Sequence, residues 1–352
     1  MAWSIYVRVL LGTFWGLVAL AASLVAIANP YGNLWFSPLR HVIMDDNQRF
    51  QYPSVIRSGR YDSMVVGTST ARLLEPAELE RRFGGRFANL ALNSGTAWEQ
   101  MRLTRLFAET IPRRGMLVLA IDHVWCDEEA DVQRITRRGF PEWMFDADPW
   151  NDLAYMLNVR TVEIAGRRIG HALGLVRERW PHNGYEVFVP PESEYDLSRA
   201  REHIWGKGGV PRPLATSGEG LRAELASTPP QRFRFPALNW LDQLLEPGHG
   251  WQRIVILMPP THVAGVPGPG HPARARELAC KSAIWDIARR RGVPFVDFRI
   301  PSPITTQDSN YWDALHYRVP VATRIVNGLA RALATGADDP AGDWVVRFMP
   351  SR

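Results

Sequence analysis

Short apolar runs and helix-periodic segments alternate along this chain, and that alternation does most to limit what it can fold into. Apolar runs lie at 64–67, 87–92, 116–121, 254–258 and 293–298. Between the first three come a polar-faced helix over 75–82 and a segment with Trp98, Met101, Leu106 and Phe107 at helical spacing. The later runs are joined by a helix over 273–290 and followed by one in which Val321, Ile325, Leu329 and Leu333 are spaced by four. A strand, helix, strand order calls for parallel pairing with helices on both faces of the sheet. Five parallel strands and a closing helix make a flavodoxin-like, doubly wound α/β sheet the economical fold. Between the third and fourth strands roughly 130 residues break the rhythm: a helical pattern at 153–169, a Pro- and Gly-rich middle (189-VPPESEYD, 206-GKGGVPRP) and a helix at 238–245. That is too long for a simple connection and reads as an insertion at about 141–250 that covers a site.

The N-terminus adds a second constraint. Residues 9–28 carry no charge and follow Arg8, and 20 residues at about 1.5 Å rise match the hydrocarbon core of a bilayer. The small-x-small triplet Ala26-Ile27-Ala28 offers a cleaved signal peptide instead, but such an apolar region is usually about 7–15 residues long. The expected layout is an uncleaved membrane anchor over 1–30, a linker over 31–61 and one body over 62–352. A short positive tail, set against Arg40 and Arg49 beyond the run, puts that body outside the cytoplasm, in the periplasm on a single pass through the inner membrane. The net charge of +5 comes from arginines interleaved with acids, a solvated surface that argues against nucleic acid as a partner. Cys126 and Cys280 could pair outside the cytoplasm or lie buried as thiols, and their separation does not decide.

The chemistry-bearing stretches are 64-MVVGTSTARLLEP-76 and 310-NYWDALHYRVP-320. In the first, Ser69 or Thr70 caps the helix that carries Leu73 and Leu74, or Ser69 is a nucleophile just past the carboxyl end of a strand, where ligands of open parallel sheets bind. In the second, Asp313 and His316 are three apart, so a turn brings the carboxylate back to the imidazole and leaves Nε2 to face Ser69. The bland reading has Asp313 capping the last helix and His316 on its surface.

Taken together, a strand ending in Gly-x-Ser and an Asp-x-x-His before the last helix resemble the SGNH (GDSL-type) hydrolase superfamily over about 62–333, apart from the insertion. On that resemblance Ser69 matches the nucleophile, with Thr68 where an Asp is usual, and Asp313 and His316 match its partners. Gly95, in 89-NLALNSGTAWEQ-100, looks like the glycine whose amide joins that of Ser69 in the oxyanion hole. The Asn expected after the third strand is missing from 119-LAIDHVWC-126, where Asp122 or His123 stands, so Asn93 or Asn89 supplies a third donor or the hole has two. His262, in 259-PPTHV-263, and His123 are further candidates near strand ends.

The anchor, the 31-YG turn, 310-NYWDALHYR and 342-GDWVVRF look like membrane-anchored proteins of the DltD-like and polysaccharide O-acylation type. This implies ester hydrolysis or acyl transfer to a cell-surface or exported glycan or glycolipid, with a membrane-bound acyl-donor partner and no metal or cofactor. The alternative is a non-catalytic glycan-binding or scaffold subunit, for which Trp143, Trp150, Trp180, Trp205 and Trp240 would suit carbohydrate stacking or simply a protein core.

Overall fold

Six strands form one sheet in the computed structural model, which describes residues 2–34, 36, 38–146, 149–210, 233–248, 250–268 and 271–351. In chain order they are β1 (Ser63–Val66), β2 (Phe87–Asn89), β3 (Arg114–Ala120), β4 (Trp251–Met258), β5 (Phe295–Asp297) and β6 (Val345–Phe348). They lie side by side as β2-β1-β3-β4-β5-β6. The first five are parallel, as expected; β6 runs antiparallel to β5, so the sheet is mixed and has six strands rather than five. The run that forms β6, in the 342-GDWVVRF tail, is too short to be told from a loop by pattern. What makes it a strand is the open edge of β5.

Alternate strand residues serve opposite faces. Val65, Val118, Val255 and Val296 meet Leu79 of α3 (Pro76–Phe83) and Ile325 and Leu329 of the last helix (Val319–Thr335). On the other face, Met64, Leu117, Leu119 and Ile256 pack against helices over Gln48–Arg57 (α2), Ala97–Thr110 (α4), Ala237–Leu244 and Pro272–Arg291. Burial on both sides is why the strands read as unbroken apolar runs. The chain crosses from the outer β2 back past β1 to β3, so a crevice opens at the carboxyl ends of β1 and β3.

Much of the described part of 31–61, expected as a linker, packs into the core. Tyr31, Ile43, Tyr52 and Val55 are fully buried, and α2 lies against α4. The polar sequence of α2 hides this because its buried polar groups are paired. Arg49 grips Glu99 at 2.9 and 2.6 Å and also donates to the carbonyls of Asn93 (3.2 Å) and Ser94 (3.3 Å). The first helix, α1 (Ala2–Ala28), is long and apolar enough to cross a membrane. Its last turn is part of the folded body: Val25 and Ala28 are buried.

Within the insertion, the single helical pattern expected at 153–169 divides at Asn158, whose side chain accepts from Thr161 N and starts α6 (Val159–Ala172) after α5 (Pro149–Met156). The returning chain lies along the edge of β2, where Asn89 N donates to Asn183 O at 2.8 Å. A further helix, α7 (Leu197–Trp205), packs against residues 308–310. The cysteines are paired: Cys126 and Cys280 form a disulfide, Cα to Cα 5.6 Å, that ties the turn after β3 to the long helix over Pro272–Arg291.

Near the base of α1, His41 and His182 face each other with ring centroids 6.4 Å apart, and Tyr61 Oη lies 3.3 Å from His182 Nδ1. Burial pushes His182 from 6.5 down to about 3, with the Arg60 charge adding to it. Burial and then Arg168 push His41 down to about 4. Both folded values lie below the unfolded one, so the unfolded chain binds more protons in acid. Stability from this pair is therefore complete above about pH 6.5 and is lost as pH falls toward 3. We expect the thermal midpoint to drop between pH 7 and pH 4, and His182→Asn to drop less over the same range. Parallel pH curves for the two proteins would show that this pair does not set the acid limit.

Candidate active site

Gly67 follows β1 in a place where no side chain fits: an added Cβ would lie 2.9 Å from the Cβ atoms of both Ala120 and Ala71. The chain then turns through one 3-10 turn, Ser69–Ala71. The three hydroxyl residues have different roles. Thr68 donates its hydroxyl to Asp122 Oδ2, and Thr70 donates to the same oxygen at 3.2 Å. Asp122, at the carboxyl end of β3, is 1% exposed. With its neighbours braced in this way, Ser69 is left half-buried and facing the crevice.

The helix expected to carry Leu73 and Leu74 starts later, at Pro76, so neither Ser69 nor Thr70 caps it. Those leucines instead sit in a buried turn held from below by Asn89, whose amide nitrogen donates to the carbonyls of Ala71 (2.9 Å), Arg72 (3.2 Å) and Leu74 (2.8 Å). Tyr317 Oη closes the far side on the carbonyl of Thr70.

Residues 311–317 form a tight loop pinned by a bridge between Tyr311 and Tyr317 and by a bond from His262 N to Ala314 O of 3.0 Å. Asp313 therefore does not cap the last helix, which begins after Arg318. Instead its Oδ1 accepts the amides of Leu315 and His316, each at 2.7 Å, and this local turn presents Oδ2 to His316 Nδ1 at 2.8 Å. His316 Nε2 lies 2.9 Å from Ser69 Oγ. A ring that donates Nδ1–H to a carboxylate keeps its lone pair on Nε2, so the Ser69 hydroxyl donates to it. Burial alone would raise Asp313, but the His316 bond and charge, with the two amides, hold its carboxyl below the usual range. It stays ionised at neutral pH.

The oxyanion donors expected from the resemblance are only partly available. The Gly95 amide donates to Leu92 O at 3.2 Å, closing a turn in which Ser94 has φ of 51°. Gly95 is needed for that turn, since a Cβ there would lie 2.6 Å from the Leu92 Cβ, but its N–H is engaged. Asn89 is ruled out because its carboxamide is spent on the carbonyls of the turn after Ser69. The Ser69 amide opens a 3-10 turn, where helix starts leave donors unpaired. Asn93 follows Leu92, whose amide bonds Gly67 O at 2.9 Å, so it comes alongside Thr68 and Ser69 with its backbone gripped by Arg49. Asp122, as a buried carboxylate, braces the turn and is no donor.

His123 is exposed on the turn after β3. His262 is buried: its Nδ1 accepts from Ala264 N at 3.1 Å, Nε2 lies 3.2 Å from Asp308 Oδ1, and the ring packs on Trp205 and Tyr311. It supports the loop of the triad from behind rather than joining it.

A cavity of about 430 Å³ opens beside this loop, lined among others by Asp122, His123, Thr261, Ala314 and Leu315. Buried Lys281 and Arg299 form its floor, bonded to Asp297 (3.1 Å) and Glu277 (2.8 Å) respectively. Sequence spacing does not reveal this ionic floor, because its members come from a helix and a strand end far apart in the chain.

The insertion reaches the site through Phe188, whose ring meets His316 edge-on at 5.3 Å between centroids, and through Glu186, which pairs with Arg72. The tryptophans considered for stacking are used in packing. Trp143 stacks on Tyr155, Trp180 is buried, Trp240 meets Trp98, and Trp205 Nε1 donates to Asp308 at 2.9 Å. The side chain of Trp150 lies outside the described residues. Comparison with protein-family models and with curated proteins gives no match to this chain, so its chemistry has to be read from the site itself.

Proposed function

We propose that this chain is a serine-dependent acyl-transfer enzyme of SGNH type, an esterase or O-acyltransferase acting on a cell-surface or exported glycan or glycolipid. The observation that carries the reading is the relay Ser69, His316, Asp313, with contacts of 2.9 and 2.8 Å. Ser69 Oγ attacks the ester carbonyl while His316 takes the hydroxyl proton. The ester C–O bond then breaks and His316 returns that proton to the departing alkoxide, leaving the acyl group on Ser69. An acceptor hydroxyl, from water or a sugar, loses its proton to His316 as it attacks the acyl carbon, which frees Ser69. Asp313 keeps the imidazole in the right tautomer, and the Ser69 amide, at the start of its 3-10 turn, is the donor for the developing oxyanion, with Asn93 as the candidate second donor.

Placement in an inner membrane with the body in the periplasm is supported by α1 and by the disulfide, since such bonds persist mainly in oxidising compartments.

The experiment is to treat the full-length protein with an activated aryl acetate. Mass spectrometry should place an added acetyl group on Ser69, and a glycan acceptor should then compete with water for it. The engaged amide of Gly95 favours a second reading, a non-catalytic glycan-binding or scaffold subunit. In that case no adduct forms, and a fluorophosphonate leaves Ser69 unlabelled.

A further inference from the structure

The chain leaves α6 through a compact turn that points two leucines outward. Gly174 is left-handed (φ 75°), its amide donates to His171 O at 2.9 Å, and the Leu175 amide donates to Gly170 O at 2.8 Å. In this kind of helix stop, the residue after the left-handed glycine usually packs on the side chain at the position Gly170 occupies. Glycine offers nothing to pack on. Leu175 is left 77% exposed and Leu173 68%.

The position of this tip says what covers it. Tyr31 Oη meets Thr161 Oγ1 at 3.1 Å, and one turn pair later Arg168 donates to the carbonyl of Asn29. Going from 161 to 168, α6 therefore climbs from the level of residue 31 toward α1. Its Ile164, Ala165 and Ile169 share one apolar cluster with Leu24, Val25 and Ala28 of α1. The four residues from Arg168 to the helix end at Ala172, at about 1.5 Å each, carry the tip roughly 6 Å further along α1. There the other sides of α1 show Leu17, Leu20 and Ile27 at 62%, 65% and 49% exposure. Whatever medium surrounds those residues also surrounds Leu173 and Leu175. Arg177, exposed, follows directly, where an arginine head reaches phosphates while its stem stays in apolar surroundings; by Arg179 the chain is back on the body, the amide bonded to Ile43 O at 2.7 Å.

We infer that the α6 tip is seated in the lipid leaflet on the body's side of the membrane, with Leu173 and Leu175 among the acyl chains and Arg177 at the headgroups. This rests on reading α1 as a membrane span. The body is then docked at two points instead of swinging from one helix, which fixes the height of the triad above the lipid surface.

The native cysteines are paired, so a single added thiol can be labelled. Leu175→Cys, Leu17→Cys on α1 and Glu202→Cys on α7 would each carry bimane in the full-length protein, reconstituted in phosphatidylethanolamine and phosphatidylglycerol vesicles. We expect nitroxide-bearing lipid to quench positions 175 and 17 alike, and iodide to quench them several-fold less than position 202. Leu173→Cys should repeat the result at 175. Iodide access at 175 equal to that at 202, with 17 protected, overturns the inference and leaves the anchor standing. Access at both 175 and 17 overturns the two together. Shielding of 175 from both quenchers means that protein, not lipid, covers the tip, and also overturns it.

Discussion

Ser69→Ala is expected to remove ester hydrolysis down to background, a loss on the order of 10⁶-fold in turnover, and to abolish fluorophosphonate labelling. The protein should stay folded, because the hydroxyl is half-buried at a turn and its one bond there is to His316. His316→Ala should match it, since without a base the hydroxyl keeps its proton. Asp313→Asn preserves Oδ1 for the two amides and so preserves the turn, but presents an amide to Nδ1. The imidazole then takes the wrong tautomer, at a cost of roughly 10⁴-fold. Asn93→Ala tests the proposed second oxyanion donor, with an expected loss of about 10²- to 10³-fold in turnover if Asn93 has that role. Steady-state rates with a short-chain aryl ester, taken beside thermal melting, separate these effects from unfolding. An alanine variant at position 69 that hydrolyses or labels like the parent would sink the assignment.

Removing the disulfide by Cys126→Ala with Cys280→Ala should lower stability by about 5 kcal/mol. The bond closes a loop with a sequence separation of 154, and the entropy it removes from the unfolded chain grows with the logarithm of that length. Denaturant unfolding of the parent, with and without reductant, and of the double variant reads the difference. The reduced parent and the variant should coincide. The proposed activity should fall as well, because Cys126 lies four residues beyond Asp122, the side chain that holds Thr68 and Thr70 on either side of Ser69. Two thiols that react freely in the native parent, or an unchanged unfolding midpoint, would refute the bond.

The local pattern of this chain determined the parallel α/β core, because strands buried on two faces have to be apolar throughout and the helices between them have to carry an apolar stripe. It also determined where Ser69, Asp313 and His316 come along the chain. Asp313 and His316 meet through a turn of four residues, so their pairing was legible from spacing alone. Only tertiary structure brought Ser69 to His316, 247 positions away, and only tertiary structure decided which donors remain for an oxyanion. The Gly95 amide is used by the turn that positions it, and the Asn89 carboxamide by the carbonyls of the turn after Ser69. Neither use leaves a trace in spacing, because hydrogen bonds that satisfy buried polar groups are chosen by what happens to lie opposite. The same reason hid α2: its glutamines and Arg49 look like a solvated linker until Glu99 and the 93–94 carbonyls come within reach of Arg49. It hid β6 too, which is a strand because β5 has an open edge. The disulfide was undecided for a simpler cause, since two cysteines 154 residues apart acquire a defined distance only when the turn after β3 and the helix carrying Cys280 pack against each other.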